Sequence, residues 1–154
     1  MSTQKLQVGR ALAVIPSDTV DIPFPALVTS GNATGGSATS LVNSGATFIT
    51  SGVQVGDIIY NVSTLTAAKV TGVDSQTTLL TSGGAFTGGN SYVIYNGENN
   101  NGCVLYIGGA GTLDVITVGG DQVQFLAVLA GQFIPVQVMR VLTTSSATDI
   151  LALW

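Results

Sequence analysis

The segments CVLYIGG (103–109), LDVITV (113–118), QVQFLAV (122–128), FIPVQVMRVL (133–142) and ILALW (150–154) decide the fold. Short apolar runs parted by Gly, Pro, Asp, Ser and Thr are the pattern of an all-β sandwich or small barrel. Gly102 to Trp154 reads as one unbroken antiparallel meander. Gly119-Gly120 supplies a tight hairpin turn between its second and third strands. Along LDVITV, Leu113, Val115 and Thr117 share one face, and Asp114, Ile116 and Val118 share the other. Val123, Phe125 and Ala127 alternate likewise with Gln122, Gln124 and Leu126. Neither strand is strongly amphipathic, as expected where one face meets a core and the other a neighbour, or in a central sandwich strand.

Outward from that stretch, two more textures appear. Residues 1–25 read as an arm that contributes a strand: polar MSTQKLQVGR, then strand-like ALAVI, then PSDTVDIPFP. Pro16, Pro23 and Pro25 exclude a helix and limit ladder pairing, which suits an extended segment lying along another surface. Residues 26–96 read as an inserted small β-barrel-like module, and residues 97–154 as the meander completing an antiparallel β-sandwich with the arm. The module's expected strands are SLVNSGATFI, DIIYNV, AAKVTGV, QTTLLT and SYVIYN, with turn chemistry at Val73-Asp74-Ser75 and at the pairs Gly83-Gly84 and Gly88-Gly89. Helix signals are nearly absent; SATSLVNSG is the best candidate and it is short.

Composition narrows function. The 154 residues include 4 Lys and Arg, 8 Asp and Glu and no His, and only 8% are charged. Ordinary soluble domains carry about 25% charge. Gly, Ser, Thr, Asn and Gln take its place, giving an uncharged exterior that partner subunits could cover. The net charge of −4 argues against nucleic-acid binding, which requires a basic face. The most apolar stretch is broken by Gly131, Gln132, Pro135, Gln137 and Arg140, so no membrane span is expected. ALAVIP is too short for a signal segment, and the chain reads as made and used without secretion.

Catalytic chemistry is hard to assemble. Without histidine, the Ser-His-Asp and Cys-His triads and His-based metal sites are excluded. The acids sit mostly beside Gly, Ser, Thr or Asn, where turn and cap duty is the ordinary role. Asp18 and Asp21 offer too few oxygens for a calcium cage. No phosphate-binding glycine loop is present. Cys103, alone and inside an apolar strand, reads as a small buried hydrophobe. No cofactor, metal or enzymatic activity is expected. Tyr60, Tyr92 and Tyr95 are candidates for a glycan-contacting patch, although such rings more often fill a core.

Pro16-Ser17-Asp18, Ile107-Gly108-Gly109-Ala110-Gly111, Gly131 to Val136 and Thr143 to Thr148 together resemble the small capsid-surface proteins of tailed phages and gene transfer agents. That family includes head decoration or cement proteins and head-spike bases. The similarity covers the arm and the final third, and residues 26–96 resemble a β module that recurs in phage structural proteins. The resemblance implies a non-enzymatic virion protein, made in the host cytoplasm and bound to the capsid exterior. Its implied partners are the major capsid protein, further copies of itself (a trimer ahead of a pentamer) and a spike or fibre protein. Pro16, Asp18, Pro23, Phe24, Pro25, Phe133 and Trp154 are the candidate capsid or oligomer contacts. A head-spike base, or a tail-associated carbohydrate-binding module for host attachment, is the alternative.

Overall fold

A computed structural model describes residues 8–98 and 101–154 and shows only strands, turns and loops among them. Two compact units emerge, one formed by Met1–Val14 with Asn101–Trp154 and the other by Ile15–Asn100. The first strand, β1 (Ala11–Ala13), belongs to the unit that holds both chain ends.

The middle unit follows with β2 (Leu27–Asn32), β3 (Gly35–Ser37), β4 (Ser40–Val42), β5 (Ile58–Asn61), β6 (Thr66–Val73), β7 (Thr78–Thr81) and β8 (Ser91–Tyr95). Its seven strands pair antiparallel in the order β2-β8-β5-β6-β7-β4-β3. The two outermost strands, β2 and β3, are separated in sequence only by Ala33 and Thr34. Through that join, Ala33 donates to the Asn90 carbonyl at 2.8 Å and Thr34 to the Val42 carbonyl at 2.8 Å. β2 and β3 are thus one bent strand shared by both ends of the sheet, and the sheet closes into a barrel.

Two local features make the curvature. The register of β6 shifts between Val70 and Gly72, so its first half pairs with β5 and its second with β7. Such an irregularity bends a strand at a barrel corner. At the seam, Gly36 has φ +146, and a Cβ there would stand 2.5 Å from the Ser40 carbonyl oxygen. Only glycine lets the backbones of β3 and β4 close so tightly. The barrel's apolar core contains Leu41, Phe48, Ile59, Leu79, Phe86 and Ile94, none of them solvent-exposed. β6 alternates as its sequence suggests, with Ala68 and Val70 buried and Lys69 and Thr71 exposed. β5 is buried along its whole length.

The other unit adds β9 (Cys103–Gly109), β10 (Gly111–Thr117), β11 (Gln122–Val128), β12 (Phe133–Val141) and β13 (Thr148–Leu153). Its six-stranded antiparallel sheet has the order β1-β13-β9-β12-β10-β11. This corrects the meander expected from sequence, because only the β10–β11 hairpin joins neighbours in both chain and space. The long β12 inserts between β9 and β10. Phe133 and Ile134 pair with Tyr106 and Leu105 of β9, while Arg140 and Val141 pair with Ile116 and Val115 of β10. The register shift between Ile134 and Val138 spans Pro135, which has no N–H to give a ladder. β1 pairs with β13, so the expected strand from the N-terminal segment is present. Alternate residues Cys103, Leu105 and Ile107 of β9, with Ile150 and Ala152 of β13, turn one face inward.

Candidate functional site

The N-terminal contact candidates do not form a free arm. Ser17 Oγ accepts from the Thr19 and Val20 amides at 3.3 and 3.1 Å, closing a turn that leaves Asp18 exposed. Past it the chain is buried: Ile15, Val20 and Ile22 are each under a tenth exposed, Pro23 is buried, and Pro16, Phe24 and Pro25 are half-buried. Of the expected arm, β1 belongs to the terminal unit and residues 15–25 to the middle unit. Residues 15–25 spend their apolar side chains inside their own chain, and deleting them would strip a core.

Trp154 also serves its own sheet. Its N–H donates to the Arg10 carbonyl at 3.0 Å, and its carbonyl accepts from Gly9 and Arg10 at 2.6 and 3.1 Å. Phe133 behaves differently: it is 55% exposed and meets Tyr106 edge-on, with ring centroids 5.3 Å apart.

The tyrosine patch is likewise corrected. Tyr60 and Tyr92 are buried, and Tyr95 is half-buried with its ring edge-on to Tyr60 at 5.7 Å. Tyr92 lies tilted against Phe48 at 6.0 Å, and its hydroxyl accepts from Asn43 Nδ2 at 2.7 Å. Burial pushes the Tyr92 phenol up, with the Asn43 bond working the other way, and burial also raises Tyr95. Tyr60 and Tyr92 are too buried to offer ring faces to a sugar, and Tyr95 is half-buried beside Tyr60. The sequence marks them as aromatic but does not tell which face of a strand points inward.

The remaining chemistry is structural in its contacts. Cys103 is buried, its thiol donates to the Val138 carbonyl at 3.4 Å, and burial pushes its pKa up to about 12. A thiol so protonated is not a nucleophile at neutral pH. Asp57 is a buried staple: one carboxylate oxygen accepts from Gln54 N–H at 2.9 Å and the other from Gly97 N–H at 3.1 Å. Among the described residues, no group of three or more His, Cys, Asp or Glu is placed to hold a metal ion. No helix among them is long and apolar enough to cross a membrane.

Sequence reading named Phe133 as a contact but passed over the exposed leucines near it. Large side chains stand out on both units, with Val55 and Leu65 on the barrel and Leu126, Leu129 and Phe133 on the other unit all more than half exposed. Scattered exposed apolar residues are ordinary. Leu126, Leu129 and Phe133 are different, because they fall within eight residues where β11 passes into β12. The geometry therefore defines an all-β protein of two units whose distinctive surface is neutral and partly apolar. Comparison with known proteins finds no matching family model, no matching curated protein and no matching solved structure.

Proposed function

We propose that this chain is a non-enzymatic structural protein of a tailed-phage particle, bound to the capsid exterior as a decoration or cement subunit. The observation carrying this reading is the exposed apolar set on a chain with so few charges. Leu126 is 71% exposed, Leu65 68% and Val55 67%, among only 12 charged residues in all. Neutral surfaces suit repeated face-to-face contact, since no unpaired charge is desolvated when they meet. Each such contact is weak alone, and repetition on a closed shell multiplies it. The resemblance of the N-terminal segment and final third to capsid-surface proteins points the same way. The major capsid protein is the proposed partner, together with further copies of this chain, and a spike or fibre protein is a second candidate.

The test is copy number on the particle. Purified protein is mixed with capsids lacking it, and bound copies are counted by mass spectrometry and seen by cryo-electron microscopy. A cement role gives occupancy on the order of hundreds of symmetric positions, and a head-spike base gives tens. Absence from assembled particles refutes both. The glycan-binding alternative has lost its candidate aromatic platform, and a glycan array that returns a reproducible ligand would revive it.

A further inference from the structure

The six-stranded sheet ends in β1 on one side and β11 on the other. β1 is only 3 residues long, whereas β11 is 7. β11, with 7 residues, is the longest strand among the described residues that pairs on one side only, ahead of β2 with 6 and of β1 and β3 with 3 each. Strand edges of this kind are templates for another strand unless something guards them. Usual guards are charge, proline, shortness or a β-bulge; the bulge here falls at Leu126–Ala127, where Ala127 has φ 54, and leaves Gln122–Phe125 in regular register. Gln122–Val128 contains no Asp, Glu, Lys, Arg or Pro.

Which main-chain groups are open follows from the hairpin. Thr117 N–H donates to the Asp121 carbonyl at 2.9 Å, and the register continues with Ile116 opposite Gln122 and Val115 opposite Val123. Hydrogen-bonded pairs alternate in an antiparallel ladder, so Val123 and Phe125 direct their peptide groups toward β10. Gln122 and Gln124 direct theirs outward. Both of these side chains are exposed, and Leu126, on the same face, is 71% exposed.

We infer that β11 docks against β11 of a second copy of this chain, antiparallel, about a twofold axis at Gln124. The strand is its own complement. Gln124 meets Gln124 of the other copy, and each side-chain amide holds both a donor and an acceptor for its twin. Gln122 falls opposite Leu126 of the other strand. Asp121, the nearest charge, falls beside Ala127 of the other copy, so the two like charges end up at opposite ends of the pair. A charged partner strand would set an uncompensated charge against Gln124 and Leu126; a second copy does not. This inference does not rest on the capsid reading.

The full chain is tested by sedimentation velocity across a concentration series, alongside Gln124→Lys and Gln124→Glu. Position 124 is exposed at the sheet edge, and unchanged circular dichroism checks that both variants fold. The wild-type chain should form an even-numbered assembly. Each variant alone should dissociate, with the pairing constant weakened about tenfold or more by like charges set directly opposite. An equimolar mixture of the two should restore the assembly, because lysine then meets glutamate across the axis. A wild-type monomer at the highest concentration overturns the inference, as do variants that assemble like wild type or a mixture that stays dissociated. A trimer or pentamer indifferent to both substitutions overturns it too, and would leave the capsid proposal standing.

Discussion

The barrel seam makes a sharp prediction from two adjacent glycines. Gly36 has φ +146, and a Cβ built on it would lie 2.5 Å from the Ser40 carbonyl oxygen and 2.9 Å from that of Phe86. Both neighbours are backbone, so neither can swing aside as a side-chain tip would. Gly35, one residue earlier, has only Val42 Cβ at 3.9 Å, an ordinary contact. Gly36→Ala must therefore strain a backbone conformation that L residues rarely adopt, at about 1–3 kcal/mol. It must also push β3 away from β4, loosening Leu41, which is fully buried opposite Gly36. A total near 3 kcal/mol is expected for strain together with lost packing. In a unit of this size that lowers the melting temperature by roughly 10–20 °C. Gly35→Ala should instead be neutral or stabilising by up to about 1 kcal/mol, because alanine restricts the unfolded chain. Urea denaturation and calorimetry measure both, and hydrogen exchange at Thr34, whose amide bonds to Val42 across the seam, localises the effect. Equal stabilities for the two variants, within about 1 kcal/mol, would refute the closed-barrel reasoning.

Three further outcomes follow from the same physics. Asp57→Ala removes the acceptor of two amides, Gln54 and Gly97, and should cost about 2–4 kcal/mol in urea denaturation. Tyr92→Phe leaves the Asn43 amide without its hydroxyl partner and should cost about 1 kcal/mol by the same measurement. Cys103 should resist iodoacetamide at pH 8 in the folded chain and take up one equivalent in denaturant. Its pKa is raised from 9.0 to about 12, so the folded form holds its proton longer than the unfolded one. Stability from this group is complete below pH 9 and lost progressively as pH rises toward 12, with Tyr92 and Tyr95 adding in the same direction. Alkaline denaturation of Cys103→Ser, compared with the parent, isolates its share.

The all-β class was legible because alternation survives along several strands. Lys69-Val70-Thr71 reads wet, dry, wet and is so, and Cys103, Leu105 and Ile107 bury alternate positions as an apolar run should. β2 and β3 were not legible. LVTSGN and GGS carry turn residues, and they become strands only because β8, far along the chain, and β4, across a tight hairpin, offer partners. The expected strand across residues 40–49 stops at Val42. There Asn43 caps a turn, its Oδ1 accepting from Gly45 at 3.0 Å, a local competition that sequence pattern alone does not weigh. Strand order in the terminal sheet was also hidden, since Pro135 signals an interruption without saying that β12 lies between β9 and β10. The contact candidates divided on the same ground. Phe133 stands out from the surface, whereas Tyr60, Tyr92 and Pro23 point inward, and residue type is silent on that choice.

The pairing of Ala11 with Leu153 has a temporal consequence. During synthesis, β1 leaves the ribosome well before its partner β13. The barrel, drawn from one continuous stretch, can mature while β1 still waits. Completing the terminal sheet is then a late, long-range closure of the slow kind. Until β13 pairs, a molecule would carry a finished barrel and an unfinished terminal sheet.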